Sequence, residues 1–255
     1  MTGLTAFVDL LAGGAWAGLL VFLRVGATMT ALPALGEQSL PVRVRLVASL
    51  MMTVAILPAA ITRIDLPAAG LGSFATALAT ESVNGLVIGL VLRLFVLALQ
   101  TAGSIAAQST SLSQLLGSAG TDPMPAIGHI LTIAGLALLM ATGFHVKAAA
   151  LLILSYDLMP ALQFPDPATV ADVGREQVTH SFALAFGLAA PFVILSALYY
   201  LTLGFINKAM PQLMVAFVGA PVITLGSVAL LMLTAPIMLA VWLDAVDAFL
   251  TNPFR

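Results

Sequence analysis

Residues 81–95 read ESVNGLVIGLVLRLF, an apolar stretch interrupted by an acid, an amide and a guanidinium at Glu81, Asn84 and Arg93. Wound as a helix, the stretch places Glu81, Gly85 and Gly89 four apart, with Asn84 and Ile88 beside them on the same face. One stripe is therefore polar or small while the remaining surface is apolar. Ionisable groups within an apolar helix face protein or water, and Gly-x-x-x-Gly lets another backbone come close. Arg93 lies about 18 Å further along and is rotated by roughly 120°, so it cannot pair with Glu81 inside one helix. Each charge needs a partner elsewhere. The plainer alternative is a lipid-facing helix whose Glu81 and Arg93 snorkel to opposite interfaces.

Working outward, the whole chain supports a membrane setting. Of its 255 residues 61% are hydrophobic and 8% charged, and the mean hydropathy is +1.11, whereas roughly a quarter of a soluble domain is charged. Runs such as GLALLMA and LLILS are apolar on every side, which favours helices that satisfy their own backbone over the alternating strands of a barrel. The fold class expected is an all-α membrane protein of about six long hydrophobic helices or hairpins.

The apolar segments run approximately from Leu4 to Leu32, Leu46 to Ile61, Ala69 to Leu99, Ala126 to Leu162, Phe182 to Ile206 and Pro211 to Leu243. A crossing needs about 20 residues. The second segment is short for one and the fourth long, so the fourth is expected to hinge near Gly143, His145 and Lys147. LPALGEQSLPVR, TRIDLP, QFPDPATVADVGREQ and NKAMPQ read as the punctuation between segments, and the last of these demands an antiparallel hairpin. Arg43 and Arg45 favour one loop as the basic side and Lys208 another, so positive-inside reasoning leaves the orientation open. The amino terminus carries Asp9 and no basic residue before Arg24. It is expected to be a retained first helix rather than a cleaved signal. A second Gly-x-x-x-Gly, Gly14 to Gly18, repeats the theme of close packing.

Residues 100–129, QTAGSIAAQSTSLSQLLGSAGTDPMPAIGH, hold three glutamines, four glycines and no Lys, Arg or Glu. The segment is too polar for lipid and too uncharged for an ordinary aqueous loop. Irregular backbone in a membrane protein is tolerated where it lines a cavity, so a pore loop is expected here, with a Gly/Ser-rich linker as the alternative.

Chemistry-bearing patterns are sparse. Cysteine is absent, which removes disulfide and thiolate chemistry. His129, His145 and His180 are far apart in sequence and form no local metal motif. LGSAG lacks the spacing of a nucleophile elbow, and GLGSFA follows a loop rather than a strand. Asp244 and Asp247 share a helix face and read as interfacial acids. No enzyme, cofactor or metal is expected, and nine scattered basic residues make no nucleic-acid surface.

The order of three stretches carries a resemblance: FLRVGATMTALPALGEQSLPVRVRLVASLMMTVAILP, then TDPMPAIGHILTIAGLALLMATGFHVKAAALLILSYDLMP, then NKAMPQLMVAFVGAPVITLGSVALLML. Together they resemble the FliR/SctT family of type III secretion export-gate proteins. The matching pieces are Arg24 with Pro33, Pro41 with Arg43, Asp122-Pro123, Gly143 with His145, Ser155 with Pro160, and Pro211-Gln212. GAPVITLGSVALL after Pro211-Gln212 resembles the flagellar branch. The resemblance implies one integral membrane domain, 1–255, made of a FliP-like part (1–180) joined to a FliQ-like helical hairpin (181–255). It implies a bacterial inner-membrane, multi-pass subunit of the flagellar basal body, assembled with FliP and FliQ homologues beside FlhB and FlhA and passing unfolded export substrates.

On this reading the pore loop or plug comprises Gln108, Gln114, Leu115, Leu116, Gly117, Gly120, Asp122, Pro123 and Met124. Relatives often place bulky aromatic residues ahead of the Asp-Pro, where this chain has Gly117, Ser118, Ala119 and Gly120, so Leu115, Leu116 and Met124 supply the bulk. Glu81, Asn84, Gly85, Gly89 and Arg93 would face neighbouring subunits. The alternative function is a small-solute permease with Glu81, Asn84 and Arg93 at the substrate site.

Overall fold

The computed structural model describes residues 2–65, 70–110, 126–210 and 215–253. Seven α-helices account for nearly all of them: α1 (Thr2–Ala31), α2 (Val42–Ala60), α3 (Leu71–Thr110), α4 (Ala126–Ala141), α5 (Phe144–Leu158), α6 (Pro167–Ala209) and α7 (Val215–Thr251). Among the described residues there is no strand, and the all-α class expected from composition is what is found.

Five stretches are long and apolar enough to cross a bilayer: Gly13–Ala31, Val42–Arg63, Leu71–Ser109, Pro167–Ala209 and Val222–Thr251. The sixth is the bent pair Ile127–Ala141 and Phe144–Leu158, turned through 73°. Its hinge is where sequence punctuation put it. Gly143 has φ 77°, a left-handed conformation in which a Cβ is strained. Its N–H reaches Met140 O (3.1 Å) while its carbonyl accepts from Val146 N–H (3.0 Å), closing one helix and opening the next.

Three boundaries differ from expectation. The second span is not short: α2 gains a 3-10 turn, Ile61–Arg63, and with it 22 residues, ending on a basic side chain that complements the carbonyl end of the helix. α3 does not stop near Leu99 but continues to Thr110, so the first part of the polar stretch 100–129 is helix rather than irregular backbone. Alanine and glutamine are good helix formers, and the Ser109 hydroxyl folds back onto Ala106 O (2.9 Å) instead of breaking the ladder. α6 begins at Pro167 rather than near Phe182. Asp166 caps it, accepting from the N–H (2.9 Å) and hydroxyl (2.6 Å) of Thr169, and Pro167 sits where a missing N–H costs nothing.

The chain divides into two compact units: Met1–Leu94 with Leu139–Gln177 and Ala248–Arg255, and Phe95–Leu138 with Val178–Asp247. In the first, α1, α2 and the start of α3 pack around Leu20, Val25, Ile56, Ile88 and Leu92, all 1% exposed or less. In the second, Trp242 is fully buried and donates Nε1–H to Phe95 O (2.8 Å), and the Phe95 ring meets His180 edge-on at 6.2 Å. α6 and α7 run antiparallel there, as the NKAMPQ linker requires: Leu195 lies 3.9 Å from where a Cβ on Gly226 would sit, while Ala183 and Val241 line one shared cleft further along. Gly103 of α3 lies so close to Gly128 of α4 that a Cβ on Gly103 would overlap the Gly128 backbone.

Candidate functional site

The polar stripe of α3 meets α1. Gly85 and Gly89 are the contact points. A Cβ on Gly85 would overlap Arg24 O and fall 2.8 Å from Ala27 Cβ, and one on Gly89 would lie 2.7 Å from Thr28 O. At this separation a side-chain hydroxyl bridges the two helices: Thr28 Oγ1 donates toward both Arg24 O of its own helix (2.9 Å) and Gly85 O of α3 (3.0 Å).

That approach brings Arg24 onto Glu81. Both side chains are 0% exposed, and Arg24 Nε donates to Glu81 Oε2 at 2.7 Å. The guanidinium fork is used further: Nη1 donates to Ser155 Oγ (3.0 Å) and Nη2 to Met159 O (2.9 Å). The Tyr156 ring covers one guanidinium face, 3.8 Å from Cζ to the ring centroid, a favourable cation–π placement between two buried side chains. Ser155 Oγ in turn donates to Leu152 O (2.6 Å). The remaining oxygen of Glu81, Oε1, accepts from Leu162 N–H (2.8 Å), and Asn84 Nδ2 donates to Gln163 O (3.1 Å).

One arginine thus ties α1, α3 and the end of α5 together, and Glu81 and Asn84 hold the segment after α5. Leu162 has φ 64°, a left-handed conformation costly for a leucine, and the Glu81 bond fixes it there. A buried ion pair carries a desolvation cost that only good geometry and extra hydrogen bonds offset. Here both charges have them.

The structure also supplies the partner that Arg93 needed. Arg93 Nη1 pairs with Glu37, in the segment between α1 and α2. Sequence reading placed Glu81, Asn84, Gly85, Gly89 and Arg93 against neighbouring subunits. Within this chain Glu81 and Asn84 are buried, and Gly85 and Gly89 lie against α1. The pairing has a simple cause: an apolar helix with an acid at depth needs a base, and Arg24 of the first span supplies it. The signal that would have found it is the rarity of both charges, one deep in each of two spans. Arg63 and Asp157 form a further, half-exposed pair between the 3-10 turn and α5.

Residues 15–249 match the family of bacterial export proteins, family 1. The chain belongs to that family. It is 33% identical over 227 residues to the flagellar biosynthetic protein FliR of Caulobacter vibrioides, covering 88% of this chain and 90% of the relative. It is 27% identical over 219 residues to FliR of Escherichia coli, covering 85% and 83%. The resemblance to the FliR/SctT family read from the sequence is therefore sound. This export-family member is a multi-pass membrane component of flagellar protein export.

Against the family pieces quoted above, the structure joins two that are distant in sequence: Arg24 of the first and Ser155 of the fifth share a hydrogen bond. Pro41 sits at the N-cap of α2 and accepts from Val44 and Arg45 N–H. Of the pore-loop residues, Gln108 lies exposed in the last turns of α3. Gln114, Leu115, Leu116, Gly117, Gly120, Asp122, Pro123 and Met124, and likewise Pro211-Gln212, lie outside the described residues. Among the described residues no three His, Asp or Glu side chains gather where an ion could be held.

Proposed function

We propose that this export-family chain is a core subunit of the flagellar type III export gate. With FliP and FliQ homologues it forms the channel through which unfolded flagellar proteins cross the inner membrane, at the basal body and beside FlhB and FlhA homologues. The observation that carries the reading is the family match running from residue 15 to residue 249, nearly the whole chain. On the same reading residues 1–180 form a FliP-like part and 181–255 a FliQ-like hairpin.

The structure supports the choice of chain segment for the path. α3 and α4 meet backbone to backbone at Gly103 and Gly128, so the two helices that flank the segment lie side by side there. A polar segment that joins two adjacent apolar helices is suited to lining or closing a passage. Its uncharged polar side chains would seal loosely without holding any one passing sequence. Glu81 and Arg93 are each engaged by an opposite charge of the chain, which favours this reading over a permease with those residues at its substrate site.

The test is membrane conductance together with export of a reporter in cells. Deleting Leu115 to Gly120 should leave the complex assembled and the membrane leaky to small ions. Charges introduced there should slow export more than equal changes between Phe164 and Gln177. Unchanged conductance in an assembled, open complex would make the segment a linker and overturn the assignment.

A further inference from the structure

The segment that the Arg24 hub holds in place also walls a cavity of about 250 Å³. Val87 of α3, Met159 and the α6 side chains Val170 and Val173 belong to its apolar wall, and Asp166 and Thr169 are polar lining residues exposed to solvent. The segment from Met159 to Gln163, which leads into the cavity's Pro165 and Asp166, is pinned by Arg24 to Met159 O, by Glu81 to Leu162 N–H and by Asn84 to Gln163 O. The cavity is thus built into the fold.

Its size and chemistry narrow the occupant. An apolar cavity of about 150 Å³ stays dry and takes up benzene, so 250 Å³ accommodates part of an alkyl chain. It is small beside the roughly 300–1,000 Å³ of sites for drug-sized ligands. The solvent around a membrane-spanning chain is itself rich in alkyl chains. The one charge on the lining is the Asp166 carboxylate, outside the span that begins at Pro167. The Thr169 hydroxyl and N–H hold it below the usual aspartate range and so ionised. A carboxylate at the mouth repels an anionic headgroup and accepts from an ammonium.

We infer that this cavity binds one membrane lipid with a primary-ammonium headgroup, its acyl chain against Val87, Val170 and Val173 and its ammonium on Asp166. Further along α6 the exposed Asp172 and Arg175 are engaged with each other.

The test uses the full chain in its purified export complex, in nanodiscs holding equal parts phosphatidylethanolamine, phosphatidylcholine and phosphatidylglycerol, with retained lipid identified by native mass spectrometry after detergent release. Phosphatidylethanolamine should be retained about threefold over each of the others, the scale of one exposed charge pair. Asp166→Asn, which keeps a capping oxygen, should erase the preference while leaving some lipid bound. Val170→Phe should abolish retention, with Val173→Phe as the second filling variant should the first fail to assemble. Equal retention of all three lipids, or retention indifferent to both filling variants, would overturn the inference. So would a cysteine at Val173 that cross-links to another subunit, which would show a protein side chain in the cavity.

Discussion

Replacing Gly85 by alanine tests the packing that creates the Arg24 hub. The added methyl would sit 2.8 Å from Ala27 Cβ and 3.1 Å from the Arg24 carbonyl carbon, about 1 Å short of the roughly 3.5–4.0 Å optimum for carbon contacts. Its obstacles are backbone and a Cβ, neither of which can swing aside, so α1 and α3 must separate. Overpacking of this kind costs about 1–3 kcal/mol. Separation also stretches the Thr28 bond to Gly85 O, worth about 1 kcal/mol, while alanine returns about 1 kcal/mol of helix propensity. The net is a loss of about 1–3 kcal/mol, rising further where the Arg24–Glu81 pair is pulled apart. At about 2–4 °C per kcal/mol for a chain of this size, the melting temperature should fall by about 2–12 °C. The assay is thermal unfolding of the purified complex followed by intrinsic fluorescence. Gly204→Ala, where nothing lies within 4 Å of the new methyl, is the control and should be neutral or slightly stabilising. Gly85→Ala melting at or above the parent, or Gly204→Ala falling as far, would refute the reasoning.

Arg24→Met should cost about 3–5 kcal/mol, because Glu81 is left buried without its counter-charge. Arg24→Lys should restore little of it, since an ammonium cannot reach Glu81, Ser155 and Met159 O from one planar fork; complex yield and melting temperature read both. Asp166 titrates below the usual aspartate range because Thr169 donates to its ionised form. Its contribution to the first turn of α6 should be complete above the unfolded-state value and fade as pH falls through the lowered folded value. Hydrogen exchange of residues 168–171 against pH measures this, and Asp166→Ala should show the fast exchange at every pH. Expressed without partners, the chain should be polydisperse in detergent: Met232 and Leu233 of α7 are 77% and 74% exposed and Met51 and Val54 of α2 are 69% and 71%. Light scattering with and without co-expressed FliP and FliQ homologues checks it, and a monodisperse, cooperatively melting monomer would contradict it.

Composition and periodicity determined the class, the number of apolar spans, the hinge at Gly143 and the small-residue face of α3. These are properties of a helix and its immediate solvent, so they can be read one segment at a time. Local chemistry also held the start of α6, since Asp166-Pro167 is a capping pair, although the polar residues after it read as a loop. The end of α3 was less legible: the run from Gln100 to Thr110 is polar enough for a loop, and it is the close seat of Gly103 against Gly128 that favours a straight rod there. Only tertiary structure decided what Glu81 and Arg93 pair with. Arg24 lies 57 positions before Glu81 and 131 before Ser155. Which lone charge meets which depends on the depth and rotation of separate helices, and one-dimensional spacing holds neither. The left-handed backbone of Leu162 has the same origin: nothing in leucine favours it, and a buried carboxylate from another helix holds it there.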